Sequence, residues 1–288
     1  MRLRGLAARL VLSPTVLITV VCFYGCAVWT TYISFTKSSF IPFYTFNGFA
    51  QYERLFATPR WAVAYSNMFI FGALLVAGAL AVGLLLAIML DRGVRGEGFF
   101  RTVMLYPLSM SFIVTGLAWQ WVLSPSIGVQ HFVRNLGFPD FTFDWIAQQD
   151  KAIYTLVFAG VWHQAGLIMA IMLAGLRGVD RDIWRASRVE GIPTWRVYTG
   201  IVLPMLRPLL VTCIVLISVA VVKSYDLVVA MTGGGPGFAS DLPGKFVVDF
   251  SFERANIGQA SAAAVVMLGS IFAALAPYFY FEMRRKPT

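Results

Sequence analysis

Apolar residues in this chain run in long unbroken stretches instead of alternating or recurring on one helical face. Six stretches, at residues 10–35, 62–90, 103–123, 152–176, 209–231 and 257–281, reach the roughly 20 apolar residues that a helix needs to cross a bilayer. The segments between them, at 38–60, 91–101, 124–151, 177–208 and 233–256, are polar or punctuated by Gly and Pro, and none accommodates a soluble domain. The pattern predicts an all-α integral membrane protein: a single transmembrane domain over 1–288 with six transmembrane helices. Arg2, Arg4 and Arg9 precede the first stretch in the charge order of a signal peptide. That stretch is too long for a signal sequence and has no clear small-residue cleavage site, so it is expected to remain as an anchor.

Composition agrees with the pattern. The chain is 58% hydrophobic and 13% charged, with a mean hydropathy of +0.73, too apolar for a surface that water must cover. A net charge of +9 would suggest nucleic acid in a soluble protein. Here the cations fall in clusters between apolar stretches, so they report topology and not a nucleic-acid face. Fifteen of the 23 Lys and Arg lie in the N-terminus, 91–101, 177–208 and the tail. Seven lie on the other side: Lys37, Arg54, Arg60, Arg134, Lys151, Lys245 and Arg254. Lys223 alone falls within a span. The positive-inside bias therefore predicts a multi-pass inner (plasma) membrane protein with both termini cytoplasmic. Trp61, Trp145, Phe141 and Phe143 sit near the membrane ends of the outer loops, where boundary aromatics are expected. Cys22, Cys26 and Cys213 lie in apolar stretches without zinc or redox spacing and read as small buried hydrophobes.

The segment 177–208 is far longer than a simple helix connection requires. It divides about Gly191-Ile192-Pro193 into two short amphipathic helices. Ile183, Ala186 and Ser187 recur at helical spacing in the first, and Gly191 is a natural stop. In the second, Thr194 is expected to cap a helix carrying Trp195, Tyr198 and Val202 on one face. The segment resembles the EAA coupling loop of binding-protein-dependent ABC importer permeases. Arg185, Ala186 and Ser187 stand at the Glu-Ala-Ala positions, Gly191 at the family glycine, and Ile201, Leu203 and Pro204 at the closing Ile-x-Leu-Pro. Arg185 and Ser187 depart from the pattern. Glu190 lies one helical turn beyond Arg185 and can offer a carboxylate to the same surface. An amphipathic hairpin lying on lipid is the other physical reading.

A second segment, from Lys223 through Thr232, Gly233, Gly234, Gly235, Pro236 and Gly237, is similar to that of permeases in the carbohydrate-uptake branch (maltose, glycerol-phosphate and glucose types). Physically, residues 233–237 cannot continue a helix and must turn the chain at the outer face. Lys223 and Asp226, spaced i, i+3 on a predicted helix, either line the solute path together with Tyr225 or form a structural ion pair. His163 and Gln164, midway along the fourth span, read first as interhelical packing groups. Gly72, Gly78 and Gly83 read as close-packing positions.

The sequence contains no phosphate-binding Gly-x-x-x-x-Gly-Lys-Ser/Thr, no metal-ligand cluster and no paired nucleophile and base, so it predicts a non-enzymatic transport subunit with no catalytic or metal site. The resemblance implies the fold of a type I ABC importer permease. It also implies four classes of partner: a second homologous permease, two ATPase subunits that bind ATP and magnesium, a periplasmic or external sugar-binding protein, and membrane lipid. The expected solute is a sugar, first of all glucose, mannose or a short glucoside. Other small solutes of such importers (polyol, glycerol phosphate, amino acid) and a secondary transporter are the alternatives.

Overall fold

The computed structural model describes residues 12–284, with side chains over 12–276. Arg2, Arg4, Arg9, Arg285 and Lys286 lie outside the described residues. Four helices are long and apolar enough to cross a membrane: α1 (Leu12–Ser34), α3 (Pro59–Asp91), α7 (Ala152–Arg177) and α13 (Ile257–Arg284), the last counted over Ile257–Ala276. Two helix pairs pass the same test only as bent spans. These are α4 (Glu97–Ser109) with α5 (Phe112–Leu123), bent by 103°, and α9 (Thr194–Met205) with α10 (Arg207–Val222), bent by 72°. Shorter helices complete the chain: α2 (Ala50–Ala57), α6 (Val129–Asn135), α8 (Arg181–Val189), α11 (Tyr225–Met231) and α12 (Pro243–Val248).

The third predicted span, 103–123, is thus not one straight helix. Pro107 lacks the N–H that an α-helix needs, and Met110 is extended at φ −83° and ψ 148°. Ser111 then starts α5 by accepting a hydrogen bond from the Val114 N–H at 3.3 Å, an N-cap. The carbonyl of Met110, left without a helical partner by the break, accepts from His163 Nε2 at 3.2 Å, and the imidazole stacks on Phe112 at 4.4 Å. His163 is therefore a packing group that holds the bend.

Residues 63–245 form one compact unit, and the described residues of 12–62 with 246–284 another. In the first, α7 is central and buried along most of its length. Leu156, Ile168, Met169 and Met172 form its inner face. Close approach of α3 to α7 depends on glycine. A Cβ on Gly83 would lie 2.6 Å from the Ile168 Cβ, and one on Gly78 2.7 Å from a Val161 methyl. Gly72 is looser, at 3.6 Å from Val221. Gly116 performs the same service between α5 and α11, at 2.7 Å from the Ala230 Cβ.

In the other unit α13 packs on the second half of α1 and on α2. Asn256 and Gln259 form a reciprocal cap at the start of α13. The Gln259 N–H donates to Asn256 Oδ1 (3.1 Å), and Asn256 Nδ2 donates to Gln259 Oε1 (3.2 Å). Trp61, expected at the membrane boundary, is instead 1% exposed and packs edge-on against Phe246 at 5.1 Å. Beside it Arg60 and Asp249 form a buried ion pair that the sequence pattern does not announce. The cysteines divide: Cys213 is buried as expected, whereas Cys22 and Cys26 lie on the uncovered side of α1.

Candidate functional site

Three features hold the residues singled out by sequence: the α8–α9 hairpin, the break between α10 and α11, and the glycine segment after α11. All lie within residues 63–245.

Helix α8 begins on Asp180, whose carboxylate accepts from the Asp182 N–H at 2.9 Å. It ends on Gly191, at φ +67°. The Ile192 N–H reaches the Ser187 carbonyl (3.0 Å) and the Gly191 N–H reaches the Arg188 carbonyl (3.2 Å), which is the paired bonding of a Schellman stop. Helix α9 follows, but Thr194 does not cap it. Pro193 occupies the N-cap position, and no side chain bonds the first turn. The three aromatic and apolar residues of this helix are only partly covered. Tyr198 and Val202 are buried, with Tyr198 edge-on to Trp184 at 5.2 Å, while Trp195 is 63% exposed. The buried pair roots the hairpin, and the exposed indole lies at its tip with Val189, which is 88% exposed. Ser187 is buried; Arg185, Ala186, Glu190 and Gly191 are on the surface; Ile201, Leu203 and Pro204 are half-buried. Arg185 is paired with Asp182 at 3.0 Å, so its charge is already answered within the helix. An Arg177–Glu97 pair at 2.7 Å joins the base of the hairpin to the start of α4.

The expected continuous helix over 209–231 is interrupted. Helix α10 ends at Val222, Lys223 and Ser224 leave helical geometry, and α11 starts at Tyr225. The Ser224 hydroxyl donates back to the Val221 carbonyl at 2.6 Å, which closes the last turn. Lys223 and Asp226 therefore stand on opposite sides of a helix break, and they make no ion pair with each other among the described residues. Lys223 is exposed, and Tyr225 and Asp226 are half-buried.

After Met231 the chain turns back. Gly233, Gly234 and Gly237 adopt φ of +60°, +87° and +64°, in the region that favours glycine. The Ser240 hydroxyl donates to the Gly235 carbonyl (2.6 Å) and lies 2.8 Å from the Thr232 hydroxyl, so the turn is bonded across its neck. Asn67 of α3, which the pattern of apolar positions left unassigned, donates to the carbonyls of Ala239 (2.8 Å) and Asp241 (3.0 Å). The returning strand of chain brings Gly244 against the break, 3.5 Å from the Val222 carbonyl and 3.6 Å from Tyr225 for a Cβ placed there. The glycine segment and the charged residues at the break thus belong to one folded-back assembly. The polar Asn67 inside an apolar run was the available signal for it.

Residues 79–286 match the family described as binding-protein-dependent transport system inner membrane component. The chain belongs to that family. This permease is accordingly a multi-pass inner-membrane protein. It is 32% identical to a probable ABC transporter permease of Pyrococcus horikoshii, over 96% of this chain and 95% of the relative. It is 28% identical to the xylose/arabinose import permease XacH of Haloferax volcanii, over 94% and 86% of the two chains. The sn-glycerol-3-phosphate permease UgpA of Brucella abortus is also 28% identical, over 95% and 94%. Among solved structures, a chain of a bacterial ABC transporter that imports the acidic polysaccharide alginate shares the fold. Its TM-score is 0.81 at 18% identity, over 98% of this permease and 97% of that chain.

Proposed function

We propose that this permease forms half of the translocation pathway of an ATP-driven carbohydrate importer, with the α8–α9 hairpin as its seat on the ATPase. The hairpin tip carries this reading. Val189 and Trp195 are 88% and 63% exposed on a hairpin whose root is buried and whose turn is fixed by Gly191. Exposed apolar groups so placed need a cover. Four exposed arginines, Arg181, Arg185, Arg188 and Arg196, lie on the same two helices and keep the hairpin out of hydrocarbon. With Arg185 paired to Asp182, Glu190 is the carboxylate left to meet the partner. The hairpin, both termini and the segment 91–101 face the cytoplasm on this reading, which follows the positive-inside bias. ATP-driven closure of two ATPase subunits, which bind ATP and magnesium, moves the hairpin and tilts the spans of this permease and of a second, homologous one. An external binding protein delivers the solute to the opposite face.

The sugar assignment rests on the resemblance of residues 223–237 to carbohydrate permeases and on the similarity of the chain to the xylose/arabinose import permease. Glucose, mannose or a short glucoside is the first choice. The glycerol-phosphate relative favours a polyol phosphate as the second reading. Lys223, Tyr225 and Asp226 supply hydrogen-bonding groups to the path at the α10–α11 break.

The test is reconstitution of the complete complex, with ATPase activity measured against a panel of binding-protein and solute pairs. Stimulation by a sugar is expected. Stimulation by amino acids alone would remove the carbohydrate assignment, and sodium- or proton-driven uptake by this chain alone would remove the ABC mechanism.

A further inference from the structure

The turn between α3 and α4 is fastened to the α8–α9 hairpin at two points. At its start the Arg92 guanidinium donates to the Tyr198 hydroxyl, with the Asp91 carboxylate nearby, and Tyr198 is buried at the root of the hairpin. At its end the Glu97 carboxylate accepts from the Arg177 guanidinium at 2.7 Å. Arg177 is the last residue of α7, where the hairpin segment begins. Between the two points Gly93 and Gly96 adopt φ of +76° and +82°, left-handed values that let the chain turn within a few residues.

Helix α4 leaves this turn and runs back along α7. Its backbone touches α7 at Met104, whose carbonyl oxygen would lie 2.0 Å from a Cβ on Gly166. Its far end is the bend, where His163 bonds the Met110 carbonyl at 3.2 Å. The contacts therefore step along α7 from Arg177 through Gly166 to His163, a length of about 21 Å. Two of the three are close packing and a hydrogen bond at the bend. The third is different in kind: the Glu97 and Arg177 side chains are 27% and 44% exposed, and an ion pair so exposed adds little to stability. What it does add is a charge link between the base of the hairpin and the near end of a helix whose far end is bent by 103°.

We propose that the Glu97–Arg177 pair is the joint through which movement of the α8–α9 hairpin reaches the α4–α5 bend, which makes Glu97 and Arg177 positioning residues for ATP-driven transport. When the ATPase subunits displace the hairpin, Arg177 carries Glu97 with it. Helix α4 then turns about its packing on Gly166, and the break at Met110 absorbs the change of angle. Without the pair the hairpin moves and α4 stays. The inference rests on the reading of the hairpin as the seat of the ATPase.

The test uses the complete complex in nanodiscs, with the ATPase subunits and binding protein present. Cys22, Cys26 and Cys213 are replaced, and a nitroxide is attached through Tyr106→Cys, a position 60% exposed toward the far end of α4. Its spectrum is recorded with and without Mg-ATP and vanadate. Co-purification of the ATPase subunits reads docking, and the melting temperature reads folding. A nucleotide-dependent change at position 106 is expected when Glu97 and Arg177 are intact. Glu97→Gln and Arg177→Gln are each expected to reduce that change by about threefold or more, with docking and melting temperature unaltered. The exchanged pair, Glu97→Arg with Arg177→Glu, is expected to restore it. An undiminished response in the single variants overturns the inference, and with a lowered melting temperature it makes the pair a structural one. The absence of any response with the pair intact overturns it as well. A loss that the exchanged pair does not recover assigns the effect to the separate charges and likewise overturns it. Failure of the ATPase subunits to co-purify with the intact chain removes the hairpin reading itself, an outcome distinct from the others.

Discussion

Gly191 does two things at once: it adopts φ +67° and donates its N–H to the Arg188 carbonyl. Alanine keeps the donor and pays only the left-handed penalty of roughly 1–2 kcal/mol. Proline removes the donor and fixes φ at the opposite sign. Gly191→Ala should therefore retain ATPase-subunit binding with a weakened hairpin, and Gly191→Pro should abolish either co-purification or the coupling of hydrolysis to transport. Unaltered coupling in the proline variant would place the docking surface elsewhere. At the α10–α11 break, Lys223 and Asp226 make no ion pair with each other, so Lys223→Met and Asp226→Asn are each expected to reduce uptake while leaving the melting temperature in detergent unchanged. A lowered melting temperature in both would restore the ion-pair interpretation. Normal uptake at normal expression in both would remove these residues from the path.

At the level of helices, two contacts decide whether the spans assemble. The bend between α4 and α5 exposes the Met110 carbonyl, and His163 of α7 answers it at 3.2 Å. His163→Ala should cost about 1–3 kcal/mol by leaving that acceptor unpaired, read as a lower melting temperature in detergent with solute affinity unchanged. The α3–α7 contact depends on Gly83, where an added Cβ meets Ile168 at 2.6 Å. Gly83→Val should destabilise by about 1–3 kcal/mol through overpacking, whereas the same change at Gly72, with 3.6 Å to Val221, should be milder. Equal melting temperatures for the two variants would show that α3 is free to shift.

For the whole molecule, the topology predicted by charge is tested directly by labelling. With Cys22, Cys26 and Cys213 replaced, single cysteines at Phe40 and Val189, 72% and 88% exposed, are both accessible to a thiol reagent. In intact cells a membrane-impermeant maleimide should label position 40 and not position 189, and in inverted vesicles the pattern should reverse. Labelling of both positions from one side would invalidate the six-span count. That count itself depends on treating each bent pair as one span, since among the described residues only four single helices have the length and apolar character required.

The sequence alone determined that the chain lives in lipid and that residues 177–208 hold helices broken at Gly191. Each is a local matter: unbroken apolar length, Lys and Arg placement, and the backbone preferences of Gly and Pro act within one or two helical turns. The α4–α5 bend was also locally encoded by Pro107 and Ser111, but apolar length masked it. Tertiary structure decided the rest, because those outcomes depend on which distant groups meet. It buried Trp61 and paired Arg60 with Asp249, left Trp195 outside while Tyr198 and Val202 went in, and parted Lys223 from Asp226. It also placed Lys37, Arg54 and Arg254 around one cleft above Gln51. In the sequence those three cations, more than 200 residues apart at the extremes, were only marks of the outer side; their convergence is a property of the fold.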